Sequence, residues 1–99
     1  MGNGFKVLWV RPRSVHLPEY QLLAKSLRQT RLDHKLTQEE VAARLEKPRS
    51  FPHKVENGER ELNIVELMDY CAALDEDFLM FVARFAMSVK QLRLAGESI

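Results

Sequence analysis

Apolar residues recur at three- and four-residue spacing along most of the chain, and the interruptions divide it into five predicted helices. After Pro18, which suits a first helical turn, Tyr20, Leu23, Ala24 and Leu27 predict an amphipathic helix to about His34, with Lys25, Arg28 and Gln29 on its polar face. Thr37 with Glu40 forms a capping box, and Val41, Ala42 and Leu45 make the buried stripe of a second helix that ends near Leu45. Beyond a turn containing Pro48, residues 50–57 predict a short third helix that Gly58 ends in a left-handed conformation. Asn63 with Glu66 repeats the capping pattern and starts a fourth helix, with Ile64, Leu67, Met68, Cys71 and Leu74 facing inward. Asp77 caps a fifth. There Phe78, Phe81, Val82, Phe85, Val89 and Leu92 keep helical spacing for about four turns, while Leu79, Met80, Ala86 and Met87 widen the apolar surface.

Residues 1–18 break this pattern with Gly2, Gly4, Pro12 and Pro18, and their one apolar run, residues 5–10, would be unstable as an isolated strand. They are expected to form an extended arm, packed on the body, exchanged between subunits, or placing Arg11 and Arg13 on DNA as homeodomain arms do. The expected organisation is an arm over residues 1–18, a helical body over residues 19–76, and an apolar helix and tail over residues 77–99. The fold class is all-α.

Composition narrows the class. A chain of 99 residues with 45% hydrophobic and 29% charged residues has the profile of a single soluble globular domain. So small a core buries a modest share of its surface and gains from a partner subunit. The net charge of +1 is uneven: nine basic residues face six acidic ones over residues 24–60, but three face seven from residue 61 onward. Such polarity suits one face meeting a polyanion and the other meeting protein. Cys71, the only cysteine, cannot form an internal disulfide and points to a reducing compartment. No apolar run reaches the roughly 18 residues of a membrane span, and the first residues lack signal-peptide order, so a cytoplasmic protein is expected.

Candidate chemistry is sparse. His16, His34 and His53 lack metal-ligand spacing, Cys71 lies on an apolar stripe, and Glu39 and Glu40 read as first-turn helix charges. No phosphate loop or nucleophile arrangement occurs, so neither an enzyme nor a cofactor or metal is expected. Lys25, Arg28 and Arg44 are either phosphate-touching or merely solvated cations, and Trp9 reads as a packing residue.

Residues 37–60, TQEEVAARLEKPRSFPHKVENGER, carry the most specific signal. A helix with the small Ala42 inside it, a turn, and a short helix ending Val-Glu-Asn-Gly-Glu-Arg resembles the helix-turn-helix of the phage repressor and Cro family, over about residues 23–82. The resemblance implies a lambda-repressor-like five-helix domain that binds duplex DNA as a homodimer and represses transcription. In that arrangement the second helix of the pair enters the major groove, about 12 Å wide, where each base pair shows its own donor and acceptor pattern. The family's base-contacting positions fall on Gln38, Arg49, Ser50, His53 and Lys54. Gln38 instead holds a phosphate in an alternative reading, with Thr37 beside it. Lys47, Asn57 and Arg60 would contact the DNA backbone. Arg31 and Glu56 match the family's structural ion pair, and Phe78, Val82, Phe85, Val89 and Leu92 form the expected dimer seam.

Departures from the family pattern set three expectations. Pro52 replaces a buried Val or Ile inside the recognition helix, so either Ser50 is the N-cap and Pro52 lies in the first turn, or the helix is kinked. Lys35, Glu46 and Asp75 stand where the family has helix-ending glycines, costing roughly 1 kcal/mol or more each if they keep a left-handed backbone, least for Asp75. The alternative function is an antitoxin-like module whose last helix masks another protein, with DNA binding weakened or lost through Pro52.

Overall fold

The computed structural model describes residues 17–97, which form five α-helices and, among those residues, no strand. The helices are α1 (Pro18–Asp33), α2 (Gln38–Leu45), α3 (Ser50–Glu56), α4 (Ile64–Ala73) and α5 (Phe78–Glu97). Apart from Leu17 and Pro18, the arm expected over residues 1–18 lies outside the described residues, as do Trp9, Arg11 and Arg13.

Local chemistry sets the starts. The Thr37 hydroxyl accepts from Glu40 N–H at 3.0 Å while the Glu40 carboxylate accepts from Thr37 N–H at 2.8 Å. Asn63 and Glu66 make the same reciprocal pair at 2.8 and 2.9 Å, and Asp77 accepts from Met80 N–H at 2.9 Å. Each satisfies amides that a helix start leaves without partners. Both capping carboxylates, Glu40 and Glu66, are held below the usual range, Glu40 by the Thr37 bonds and Glu66 first by Arg60.

The ends share one device four times. Lys35, Glu46, Gly58 and Asp75 all have positive φ, between 55° and 75°. In each case the following N–H reaches back five residues, as Lys47 N–H does to the Ala42 carbonyl at 3.0 Å and Glu59 N–H to Lys54 at 2.9 Å. These are Schellman closures, and three of the four place a side-chain residue in the conformation that glycine adopts freely.

Pro52 is buried in the first turn of α3. Arg49, rather than the expected Ser50, is the residue preceding the helix, and Phe51 N–H donates to the Pro48 carbonyl at 2.9 Å. A first-turn position has no intrahelical partner for its N–H, so proline there breaks no ladder bond and the helix begins without a kink.

Leu27, Val41, Tyr70, Cys71 and Leu74 are fully buried at the centre of the core, with Leu36, Val55, Ala73 and Phe81 around them. α1 packs on α3 and α5, α2 on α3 and α4, and α4 on α5. Two residues of the expected α4 stripe depart from it. Ile64 and Met68 are 62% and 48% exposed, because the bulky Tyr70 turns inward and rotates the buried face toward itself. Burial also pushes the Cys71 thiol up to about 11, which keeps it protonated and unreactive. α5 runs further than the expected four turns. Phe81 is core, Phe78 and Phe85 pack against it, and every residue from 90 to 96 is exposed.

Candidate nucleic-acid interface

The candidate surface is the outer side of the α2–α3 pair. Residues 49, 50, 53 and 54 recur at the spacing of one helical face, and Arg49, Ser50, His53 and Lys54 are all exposed, whereas Pro52 and Val55 on the other side are buried. α3 therefore presents a polar, basic edge outward from a fixed apolar seat. Asn57, just past its end, donates through Nδ2 to Glu59 at 3.3 Å and lies 3.1 Å from His53 Nε2. The Arg49 guanidinium is 72% exposed and 3.9 Å from Glu39 on α2.

Behind this edge lies an ion pair. Arg31 Nε donates to Glu56 at 2.6 Å and Nη2 at 3.1 Å, while Nη1 donates to the Leu36 carbonyl at 2.8 Å. Side-chain exposure is 10% for Arg31 and 3% for Glu56, so both charges are desolvated and each depends on the other. The bond to Glu56 raises the Arg31 pKa above its ordinary value. Gln38 is drawn into the same cluster, its Nε2 donating to Glu56 at 3.0 Å, and the more exposed Arg28 lies 4.0 Å away. The resemblance had supplied the pair; the third member, Gln38, comes only from the tertiary structure.

The expected backbone-contacting cations meet on Phe51, a residue the sequence reading passed over. Lys47 Nζ lies 5.6 Å and Arg60 Cζ 5.3 Å from its ring centroid, within cation–π range. No local spacing signals this meeting, because Lys47 lies in the turn before α3 and Arg60 beyond its end. Arg60 also donates to Glu66 at 2.7 Å and to the Glu61 carbonyl, so it is anchored to the start of α4. Thr37 is occupied as the α2 cap. Arg44, one of the undecided cations, turns away from α3 to the Ala73 carbonyl at 2.8 Å and Asp75 at 2.9 Å, where it closes the end of α4.

Residues 27–81 match the helix-turn-helix family HTH_3. The chain belongs to that family. This helix-turn-helix protein is similar to an XRE-family like protein from Pseudomonas syringae pv. tomato, with 34% identity and a TM-score of 0.69 over 87% of this chain and 96% of that one. Its fold is also similar to that of the clp gene regulator ClgR from Corynebacterium glutamicum, with 24% identity and a TM-score of 0.68 over 83% and 86% of the two chains. The wild-type restriction-modification controller protein C.Esp1396I shares the fold at 19% identity and a TM-score of 0.69, over 75% and 97%. Among curated proteins there is no match. Membership makes the chain a DNA-binding transcriptional regulator rather than an enzyme. Among the described residues no group of three or more His, Cys, Asp or Glu is placed to hold a metal ion, and no helix is long and apolar enough to cross a membrane.

Proposed function

We propose that this helix-turn-helix protein reads a specific duplex sequence as a homodimer, with α3 in the major groove, and represses transcription in the cytoplasm. The observation that carries the reading is the single exposed face of Arg49, Ser50, His53 and Lys54 set on a buried Pro52 and Val55. Arg49 is assigned to guanine, where two hydrogen bonds to O6 and N7 discriminate by about 1 to 3 kcal/mol. Lys47, Asn57 and Arg60 hold the DNA backbone and fix register. Regulators of similar fold, ClgR and C.Esp1396I, support the regulatory role.

The dimer is assigned to α5. Phe78, Val82, Phe85 and Val89 remain only half-buried, and Leu92 is exposed beyond the bundle. Phe78 and Phe85 serve the core with part of their surface and offer the rest to a second copy. Two α3 helices related by a two-fold axis would read half-sites about 34 to 36 Å apart.

Selection of bound sites from random duplexes, followed by affinity across salt concentrations, tests this reading. A pseudo-palindromic site and a steep fall in affinity with salt are expected, since Lys and Arg release counterions on binding phosphate. Monomeric sedimentation at micromolar concentration would remove the dimer. Salt-independent association with a protein partner and no duplex binding would favour the interaction-module alternative.

A further inference from the structure

Phe51 joins the core to the charged rim of the α2–α3 pair. It follows the exposed Arg49 and Ser50 in the first turn of α3, and it is half-buried against the core, its ring centroid 6.2 Å from that of the fully buried Tyr70. An ammonium or guanidinium within about 6 Å of a ring centroid is attracted to the negative face of the ring. Lys47 and Arg60 both stand in that range, at 5.6 and 5.3 Å, one from the turn before α3 and the other from beyond its end. A ring seated on the core therefore holds two charges from opposite ends of α3 within about 11 Å of each other.

Two cations so close repel one another, and one carboxylate answers them. Glu66 accepts from Arg60 Nη1 at 3.3 Å and Nη2 at 2.7 Å, and its carboxyl is held below its ordinary value first by Arg60 and, more weakly, by Lys47. Two cations against this carboxylate leave the cluster net positive. A guanidinium has five N–H groups, so the bonds to Glu66 and to the Glu61 carbonyl fix Arg60 without exhausting it.

We propose that Phe51 is a positioning residue for the DNA backbone: its ring holds Lys47 and Arg60 ready as one clamp on a short run of phosphates. The inference rests on the reading of Lys47 and Arg60 as backbone-contacting residues, and it adds the reason that they are ready. Long Lys and Arg side chains give up rotamer freedom when they grip a phosphate, and a ring that already holds them lowers what is lost on binding.

The test replaces Phe51, in the full chain, by phenylalanines carrying one, two and three ring fluorines, which weaken the negative face in steps and change the volume little. Phe51→Leu would alter packing as well as the π face, so it decides less. Affinity is measured for a duplex selected from random sequences and for unrelated duplexes, and thermal melts confirm that each protein is folded. Affinity is expected to fall with each fluorine, by roughly three- to tenfold in total and equally on all sequences. In the Lys47→Met, Arg60→Met protein, which keeps the stems and removes both charges, the fluorines should have no effect on binding. That loss of effect separates holding cations from filling space. Unchanged affinity along the fluorine series would overturn the proposal, and so would a rise, the sign of ring and phosphate competing for the cations. A changed base preference would overturn it too, since Phe51 would then act by shifting Arg49 and Ser50. Absence of any salt-dependent duplex binding by the unmodified protein would overturn the backbone-contacting reading itself, and the proposal with it.

Discussion

Arg31 and Glu56, 25 positions apart in the chain, are joined through two hydrogen bonds of 2.6 and 3.1 Å that tie the end of α1 to the end of α3. Removing one partner leaves the other charge buried, which costs about 3 to 5 kcal/mol. Arg31→Met should therefore lose stability of this size in urea unfolding, with the midpoint shifted and the slope unchanged. A loss below about 1 kcal/mol would show that the pair behaves as an exposed surface bridge.

Pro52 occupies the first turn of α3, where its ring restricts the unfolded chain without removing a helical bond. Pro52→Val should fold with the same helix content and lose up to about 1 kcal/mol, as the unfolded state regains freedom. A gain of about 3 kcal/mol, the release expected from an interior kink, would contradict the first-turn placement.

Glu46 and Lys35 hold φ of 55° and 57° at Schellman closures. Glycine carries no steric penalty there, so Glu46→Gly and Lys35→Gly should each raise stability by about 1 kcal/mol, and together by roughly 2 kcal/mol. Gly58→Ala should do the reverse, since φ is +75° and a Cβ would stand 2.8 Å from Gln21 Nε2. Thermal melts of the four proteins check both signs.

Glu76 links α1 to α5, lying 3.0 Å from His34 Nε2 and paired with Arg84, and these bonds, His34 first, hold its carboxyl below its ordinary value of 4.5. Glu40 and Glu66 are lowered as well. A group whose pKa is lower folded than unfolded stabilises fully above its unfolded value and stops doing so as pH falls through the folded one. Melting temperature should therefore not fall with acid until pH drops through about 4.5, then decline. Glu76→Gln should soften that decline, and an unchanged acid branch would remove Glu76 from its causes.

Arg49 and Arg60 should separate reading from holding. Arg49 is exposed and tied only loosely to Glu39, so Arg49→Ala should leave the melt unchanged and relax preference at one guanine by about tenfold or more. Arg60 packs on Phe51 and pairs with Glu66. Arg60→Ala should weaken binding evenly across sequences and also lower the melting temperature. Equal loss on all sequences for Arg49→Ala would contradict its assignment to a base.

What the sequence by itself determined was where α2 and α4 begin and where the first four helices end, because those decisions are made by bonds within a few residues. The reciprocal caps of Thr37 with Glu40 and Asn63 with Glu66 need no distant partner, and a left-handed residue closes a helix through its own neighbours. The Arg31–Glu56 pair was legible only through resemblance, since nothing local links positions so far apart. Tertiary packing decided the rest. It rotated α4 so that Tyr70, not Met68, lies inside, and it brought Lys47 and Arg60 to one aromatic ring. It also placed Gln38 beside a carboxylate on another helix. A glutamine in the sequence offers both donors and an acceptor; only the fold commits one of its amide hydrogens to the buried Glu56 carboxylate.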